Sequence, residues 1–106
     1  MKHGMSKSRF YKIWEDMKRR CLNPNFKYYK DYGGRGISVQ DSWLNFESFM
    51  NNMFESYWKH SLTNSEENTT LDRIDVNGNY ELTNCRWATK QVQAKNKRNS
   101  KGNKNE

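Results

Sequence analysis

The residues best suited to chemistry lie between Leu71 and Asn96, where a carboxylate, a guanidinium and several amides follow one another. Asp72 offers a hard oxygen donor, the kind that Mg²⁺ and Mn²⁺ prefer, and the amide oxygens of Gln93 and Asn96 can also bind such ions. Arg73 stays protonated at neutral pH and cannot act as a base, but its guanidinium can hold a phosphate by a forked contact. These residue types mark residues 71–96 as the stretch to consider for a functional site.

The charges are segregated along the chain. The 19 Lys and Arg and 12 Asp and Glu among 106 residues give a formal net charge of +7. Residues 1–30 hold nine basic against two acidic side chains, residues 31–85 three against nine, and residues 86–106 seven against one. This segregation favours a polyanion contact beside a carboxylate-bearing site, and we predict binding of double-stranded DNA. The predicted DNA contacts are Arg19, Arg20, Arg35, Arg73, Arg86, Lys90, Lys97 and Arg98.

Length and composition exclude several classes of protein. A chain of 106 residues predicts one domain and excludes a multidomain enzyme. No run approaches the roughly 20 apolar residues of a membrane span, and the basic stretch 95–104 has no apolar face to insert into a membrane surface. Cys21, Cys85 and His3 supply only three of the four donors of a tetrahedral zinc site, so zinc is not expected. We expect a soluble intracellular protein without a membrane partner.

Two amphipathic helices are predicted in the N-terminal half. The first covers residues 8–20, with Ser6 or Ser8 as its cap and the cluster 23–25 as its end. A glycine-rich loop at 28–36 and a short strand at 37–39 follow, and the second helix begins at Asn45 and continues through Tyr57. The 15 Phe, Trp and Tyr residues can build the core of a chain with few aliphatic residues.

The C-terminal half predicts a hairpin followed by a helix. Residues 61–70 are polar and predict a connecting loop, and strands are expected at 71–75 and 85–88 on either side of a turn at 77–79. Thr89 can cap a third helix that ends at about Arg98. Asp72 would then lie on the first strand, with Gln93 and Asn96 on the helix that follows the second strand.

Four motifs in a fixed order carry a resemblance to a known family. YGGRGI at 32–37, LDRID at 71–75, GNY at 78–80 and NCRWAT at 84–89 together resemble the small phage-encoded HNH endonucleases, from about Lys2 to Arg98. The resemblance implies a ββα-metal fold, in which a divalent cation lies between the first strand and the helix. It also implies that a strand histidine acts as the general base on a water that attacks a phosphodiester.

The family's roles transfer residue by residue. Asp72 matches the metal-binding carboxylate, and Asn84 matches the middle Asn, whose role is largely to pin the loop. Gln93 matches the last helix position, and Asn96, one turn further, is the alternative donor. Arg73 stands where the family has its histidine base, so His3 or His60 has to be considered as a substitute. The implied catalytic residues are Asp72, Arg73 and Asn84, and the implied ligands of Mg²⁺ or Mn²⁺ are Asp72, Gln93 and Asn96.

The predicted fold class is α+β, with two amphipathic helices and a C-terminal HNH-like hairpin-helix unit over 71–98. These elements form a single domain, 1–98, and the basic tail 99–106 is expected to be disordered. Two functions stay open. The chain is a DNA-binding, metal-dependent endonuclease with a degenerate base position, or a non-catalytic phage factor that reuses the same frame to bind DNA or a phage or host protein, for defence inhibition or packaging. Either would act in the cytoplasm of an infected or lysogenic bacterium.

Overall fold

A computed structural model describes the backbone of residues 8–103 and the side chains of residues 8–96. The described chain contains helices α1 (Arg9–Leu22), α2 (Phe46–Asn64) and α3 (Lys90–Asn103), and strands β1 (Thr70–Arg73) and β2 (Cys85–Ala88). Short 3₁₀ turns lie at Tyr29–Asp31, Gly33–Arg35, Asp41–Leu44 and Leu82–Asn84. The predicted α+β class is confirmed. None of the described helices is both long and apolar enough to cross a bilayer.

Helix α1 begins where its capping residue predicts. The Ser8 hydroxyl accepts a hydrogen bond from the backbone N–H of Tyr11 at 3.1 Å, which satisfies one of the unpaired amides of the first turn. Asn23 is the C-terminal cap, within the predicted end cluster. The buried face carries positions 10, 14, 17 and 21, at the three- and four-residue spacing of an amphipathic helix.

Helix α2 begins as predicted but ends later. The Asn45 side chain accepts from the backbone N–H of Ser48 at 3.2 Å. The helix then continues to Asn64, so the prediction of a loop from Ser61 is wrong for residues 61–64. The reason is local, because the Ser61 hydroxyl donates to the carbonyl of Trp58 at 2.8 Å and so lies buried without interrupting the helix.

The core is aromatic. The Phe10 ring lies 5.1 Å, centroid to centroid, from each of the rings of Phe49, Phe54 and Tyr57, so α1 packs on α2 mainly through ring contacts. Trp87 of β2 joins this cluster at 5.0 Å from Tyr57. Its indole N–H donates to the carbonyl of Met53 at 3.1 Å, which fixes the hairpin on α2.

The hairpin and α3 form a ββα unit. β1 pairs antiparallel with β2 in a register that places Asp72 opposite Arg86 and Arg73 opposite Cys85. α3 packs on the face of Thr70 and Asp72, while the opposite face, with Trp87, packs on α2. β2 has the predicted bounds. β1 begins one residue earlier than predicted and ends at Arg73, because the chain turns at residues 74 and 75.

Two further predictions differ from the structure. Residues 37–39 do not form a strand but make a single parallel bridge between Val39 and Tyr80, since only this short segment reaches the hairpin loop. α3 continues past the predicted end near Arg98 to Asn103. Residues 1–7, with His3 and the alternative cap Ser6, and residues 104–106 lie outside the described part of the chain.

Candidate functional site

Asp72 is a buried carboxylate at the junction of β1, β2 and α3. Its side chain is 4% exposed, and its Oδ2 accepts a hydrogen bond from Nε of Arg86 at 2.9 Å. Nδ2 of Asn96 lies 3.5 Å from the same oxygen and donates to the carbonyl of Arg73 at 2.9 Å. The ββα unit therefore brings two of the predicted metal ligands, Asp72 and Asn96, together.

Gln93 lies one helical turn away from this contact. Its Nε2 donates to Oγ1 of Thr70 at 3.1 Å and to the carbonyl of Leu71 at 3.0 Å. The Gln93 side chain thus contacts the start of β1, while the Asn96 side chain contacts its end. Of the two helix positions that the sequence offered, Asn96 is the one that contacts Asp72.

Arg73 is a buried guanidinium that holds the hairpin loop. Its Nη1 donates to the carbonyls of Val76 at 2.7 Å and Gly78 at 2.8 Å. Its guanidinium carbon lies 5.2 Å from the ring centroid of Tyr32 and 5.1 Å from that of Tyr80, within the range of a cation–π contact. A phosphate at the predicted position would have to share this guanidinium with its loop and ring partners.

A cavity of about 50 Å³ lies beside these groups. Its lining includes Arg20, Tyr32, Leu71, Asp72, Arg73, Val76, Tyr80 and Gln93. Nη1 of Arg20 donates to the Tyr80 hydroxyl at 3.4 Å. Burial raises the pKa of Tyr80 to about 12, although Arg20 and Arg73 act in the opposite direction, so its phenol stays neutral near pH 7. The cavity therefore carries two guanidiniums and a neutral hydroxyl.

Sequence reasoning missed this grouping of Arg20, Arg73 and the two tyrosines. Tyr32 belongs to the YGGRGI motif and Tyr80 to the GNY motif, 48 residues later. Their rings lie 6.4 Å apart and nearly parallel. Only the motif order suggested that the two segments belong together, and no local pattern reports such a long-range contact.

Asn84 uses its whole side-chain amide within the hairpin loop. Its Oδ1 accepts from the backbone N–H of Asp75 at 2.9 Å, and its Nδ2 donates to the carbonyls of Asp75 at 3.1 Å and Asn79 at 3.0 Å. These three hydrogen bonds pin the loop, which is the role that the resemblance implied for this residue.

Five of the eight predicted DNA contacts are engaged with other parts of the protein. Arg20 and Arg73 contact tyrosines, Arg86 pairs with Asp72, and Arg19 pairs with Asp16 at 2.6 Å. Arg35 donates to Asn77 Oδ1 at 3.3 Å and to the carbonyls of residues 31 and 76. The remaining three are Lys90, which is exposed, and Lys97 and Arg98, whose side chains lie outside the described residues.

A groove of about 650 Å³ runs between α1 and the ββα unit. Its lining includes Ser8, Arg9, Lys12, Ile13, Asp16, Arg20, Thr70, Leu71 and Gln93, and it shares three of these residues with the small cavity. Arg9 and Lys12 were not predicted. With Asp16 and Arg20 they repeat at helical spacing on one side of α1, a signal that the sequence contained. The groove thus places the basic α1 beside the helix of the second basic segment.

Arg9 is anchored at the edge of this groove. Its Nη2 donates to the carbonyls of Glu67 and Thr69, each at 3.2 Å, and its buried Nε has no hydrogen-bond partner among the described residues. Lys12 is exposed. Arg9 is therefore held against the segment between α2 and β1, whereas Lys12 is an exposed cation of the groove.

The donor set at Asp72 does not fit a divalent ion as it is arranged. Mg²⁺ in proteins is bound through one or two carboxylates with waters and phosphate oxygens. Here the single carboxylate is neutralised by Arg86, and Arg20 and Arg73 line the adjoining cavity. A divalent ion would have to displace the Arg86 guanidinium from the carboxylate. In the part of the chain that the structure describes, no three His, Cys, Asp or Glu side chains group to hold a metal.

No family model matches the chain, and neither a curated protein nor a solved structure shows significant similarity to it.

Proposed function

We propose that this chain is a phage-type HNH-like protein that binds double-stranded DNA and does not hydrolyse it. The observation that carries the proposal is the groove between α1 and the ββα unit. Its α1 side carries three cations, Arg9, Lys12 and Arg20, against one carboxylate, and Gln93 of α3 lines the other side. A groove with an excess of positive charge attracts a polyanion.

Duplex DNA fits this surface better than a small anion does. Helix α3 is about 21 Å long at 1.5 Å per residue and has exposed side chains at positions 90, 91, 92, 94 and 95. Lys90 and Lys95 are the cations of this outer side, Gln91 is polar, and the other two side chains are apolar. A helix with one packed side and lysines on its outer side can enter the major groove of DNA, which is about 12 Å wide. The hairpin would act as the scaffold that orients α3 toward the major groove of the DNA.

Salt-dependent binding tests the proposal. We expect Lys12→Ala to weaken binding to a 20-bp duplex, measured by fluorescence anisotropy, and to lower the slope of log affinity against log salt by about 1. The matched control is Lys59→Ala, because Lys59 lies on the outer side of α2, paired with Glu55 at 3.2 Å, and removes the same charge away from the groove. Equal losses of duplex affinity for the two variants would show that the groove is not the binding surface, since the change in net charge alone would explain them.

A metal-dependent endonuclease is the second candidate, favoured by the contact between Asp72 and Asn96 on β1 and α3. Nicking of supercoiled plasmid with Mg²⁺ or Mn²⁺ distinguishes the two functions. If the wild type nicks the plasmid and Asp72→Ala abolishes the nicking, the protein is an endonuclease and the proposal that it only binds DNA is wrong. Arg73→His is a separate test, because a positioned general base contributes roughly 10²- to 10⁴-fold. Nicking by Arg73→His alone would show that a missing base is the only defect.

A further inference from the structure

We propose that Arg86 is the permanent counter-cation of Asp72, in the place where a ββα metal site would hold a divalent ion. The pair is built by the strand register, since Asp72 and Arg86 are directly opposite each other in the antiparallel hairpin. Side chains at such positions leave the same face with their Cβ atoms about 5 Å apart. The pairing of the two strands therefore places the guanidinium next to the carboxylate.

The burial of the two partners is unequal. Asp72 is 4% exposed and Arg86 is 42% exposed. The carboxylate has lost most of its water, so it requires a neutralising partner, while the guanidinium keeps part of its hydration and loses less. Nε of Arg86 at 2.9 Å and the amide of Asn96 at 3.5 Å both approach Oδ2. Asp72 is thus satisfied by residues of this chain.

Arg86 occupies the place that a second cation would need at this carboxylate. Its Nε lies at hydrogen-bond distance from Oδ2, and Asn96 approaches the same oxygen from α3. A divalent ion at Oδ2 would therefore have to displace the guanidinium, because two cations repel each other at that distance. We therefore expect the protein with Arg86 to exclude Mn²⁺ from Asp72, and the protein without this guanidinium to accept it.

Titration of the full chain with Mn²⁺, followed by electron paramagnetic resonance of the free aquo ion, tests this inference. The expected result for Arg86→Gln is one bound Mn²⁺ per chain, with an affinity at least about tenfold higher than that of the wild type. Arg86→Gln combined with Asp72→Asn should lose this site. Lys59→Gln is the matched control, because it also removes one cation from an ion pair with a carboxylate, Glu55, but at an exposed position on α2.

A wild type that binds Mn²⁺ as tightly as Arg86→Gln, with loss on Asp72→Asn, would overturn the inference, because Arg86 would then be no barrier. Absence of binding by Arg86→Gln would overturn it as well. Thermal unfolding gives an independent readout, since Mn²⁺ should raise the Tm of Arg86→Gln and leave that of the wild type unchanged. If the variant is unfolded without the ion, Mn²⁺ should refold it, and failure to refold contradicts the inference. These measurements need no DNA, so they are independent of the proposed DNA binding.

Discussion

Arg73 joins three separate segments through one guanidinium. It extends from β1, donates to the carbonyls of Val76 and Gly78 in the hairpin loop, and lies against the rings of Tyr32 and Tyr80. The resemblance implied a general base at this position, and the residue that lies there holds the hairpin loop against the two tyrosines. The loop carbonyls would be left without their charged donor if this side chain were shortened.

We therefore predict that Arg73→Ala lowers the free energy of unfolding by about 3 kcal/mol, as measured by urea denaturation. Arg73→Lys should recover only part of this loss, because an ammonium lacks the planar fork that reaches two carbonyls and two rings. Arg19→Ala is the control, since the exposed Arg19–Asp16 pair should contribute less than about 1 kcal/mol. A loss for Arg73→Ala no larger than that of the control would argue against the structural role.

The two thiols support a second prediction at this scale. Burial raises the pKa of Cys21 to about 11 and that of Cys85 to about 12. Both thiols are then protonated at pH 8, and alkylation by iodoacetamide should be slow in the native protein and fast in denaturant. A raised pKa favours the folded state below the ordinary thiol value of about 8.5, and this advantage is lost as the pH rises toward 11 and 12. Cys21→Ala should flatten the fall in Tm above pH 8.5, and rapid native labelling would contradict the prediction.

At the level of elements, local signals and long-range contacts behave differently. Capping residues are local, and Ser8 and Thr89 cap their helices as the sequence predicts. Asn45, predicted as the start of the second helix, is its cap. The end of β1 and the bridge between Val39 and Tyr80 depend on how the hairpin loop packs, which no local pattern contains. The starts of the helices and the bounds of β2 were therefore predictable from the sequence, whereas the ends of α2 and α3 and the shape of the segment between α1 and α2 were not.

A substitution at Gly33 tests what constrains the segment between α1 and α2. A Cβ at this position would overlap the carbonyl oxygen of Cys21 and the ring of Tyr29, so the glycine-rich turn could no longer approach the end of α1. Gly33→Ala should destabilise the protein by about 2 kcal/mol in urea denaturation. Gly34→Ala is the matched control, because its nearest contact would be the carbonyl oxygen of Tyr29 at 3.2 Å, and its cost should be smaller. Equal costs for the two variants would mean that the close approach to α1 is not what constrains the turn.

At the level of the whole molecule, the contact between Asp72 and Asn96 could be expected from the motif order, whereas the use of the charges could not. Charge segregation identified the two basic segments but not their partners within the fold. Arg35 and Arg86 count as free cations in the sequence and are tied to Asn77 and Asp72 in the structure. Net charge along a chain therefore overstates the number of side chains available to a ligand, because internal pairs are set by tertiary contacts.

Deletion of residues 99–106 tests where the binding surface lies. The deletion removes Lys101, Lys104 and Glu106 and lowers the net charge from +7 to +6, while the groove between α1 and the ββα unit stays complete. We expect a loss of duplex affinity of less than about tenfold, with a decrease in the salt slope of no more than about 2, because two lysines can make at most two of the phosphate contacts. Anisotropy titrations at several salt concentrations measure both quantities. Complete loss of binding would place the site on the C-terminal end of α3 and its tail, away from the groove.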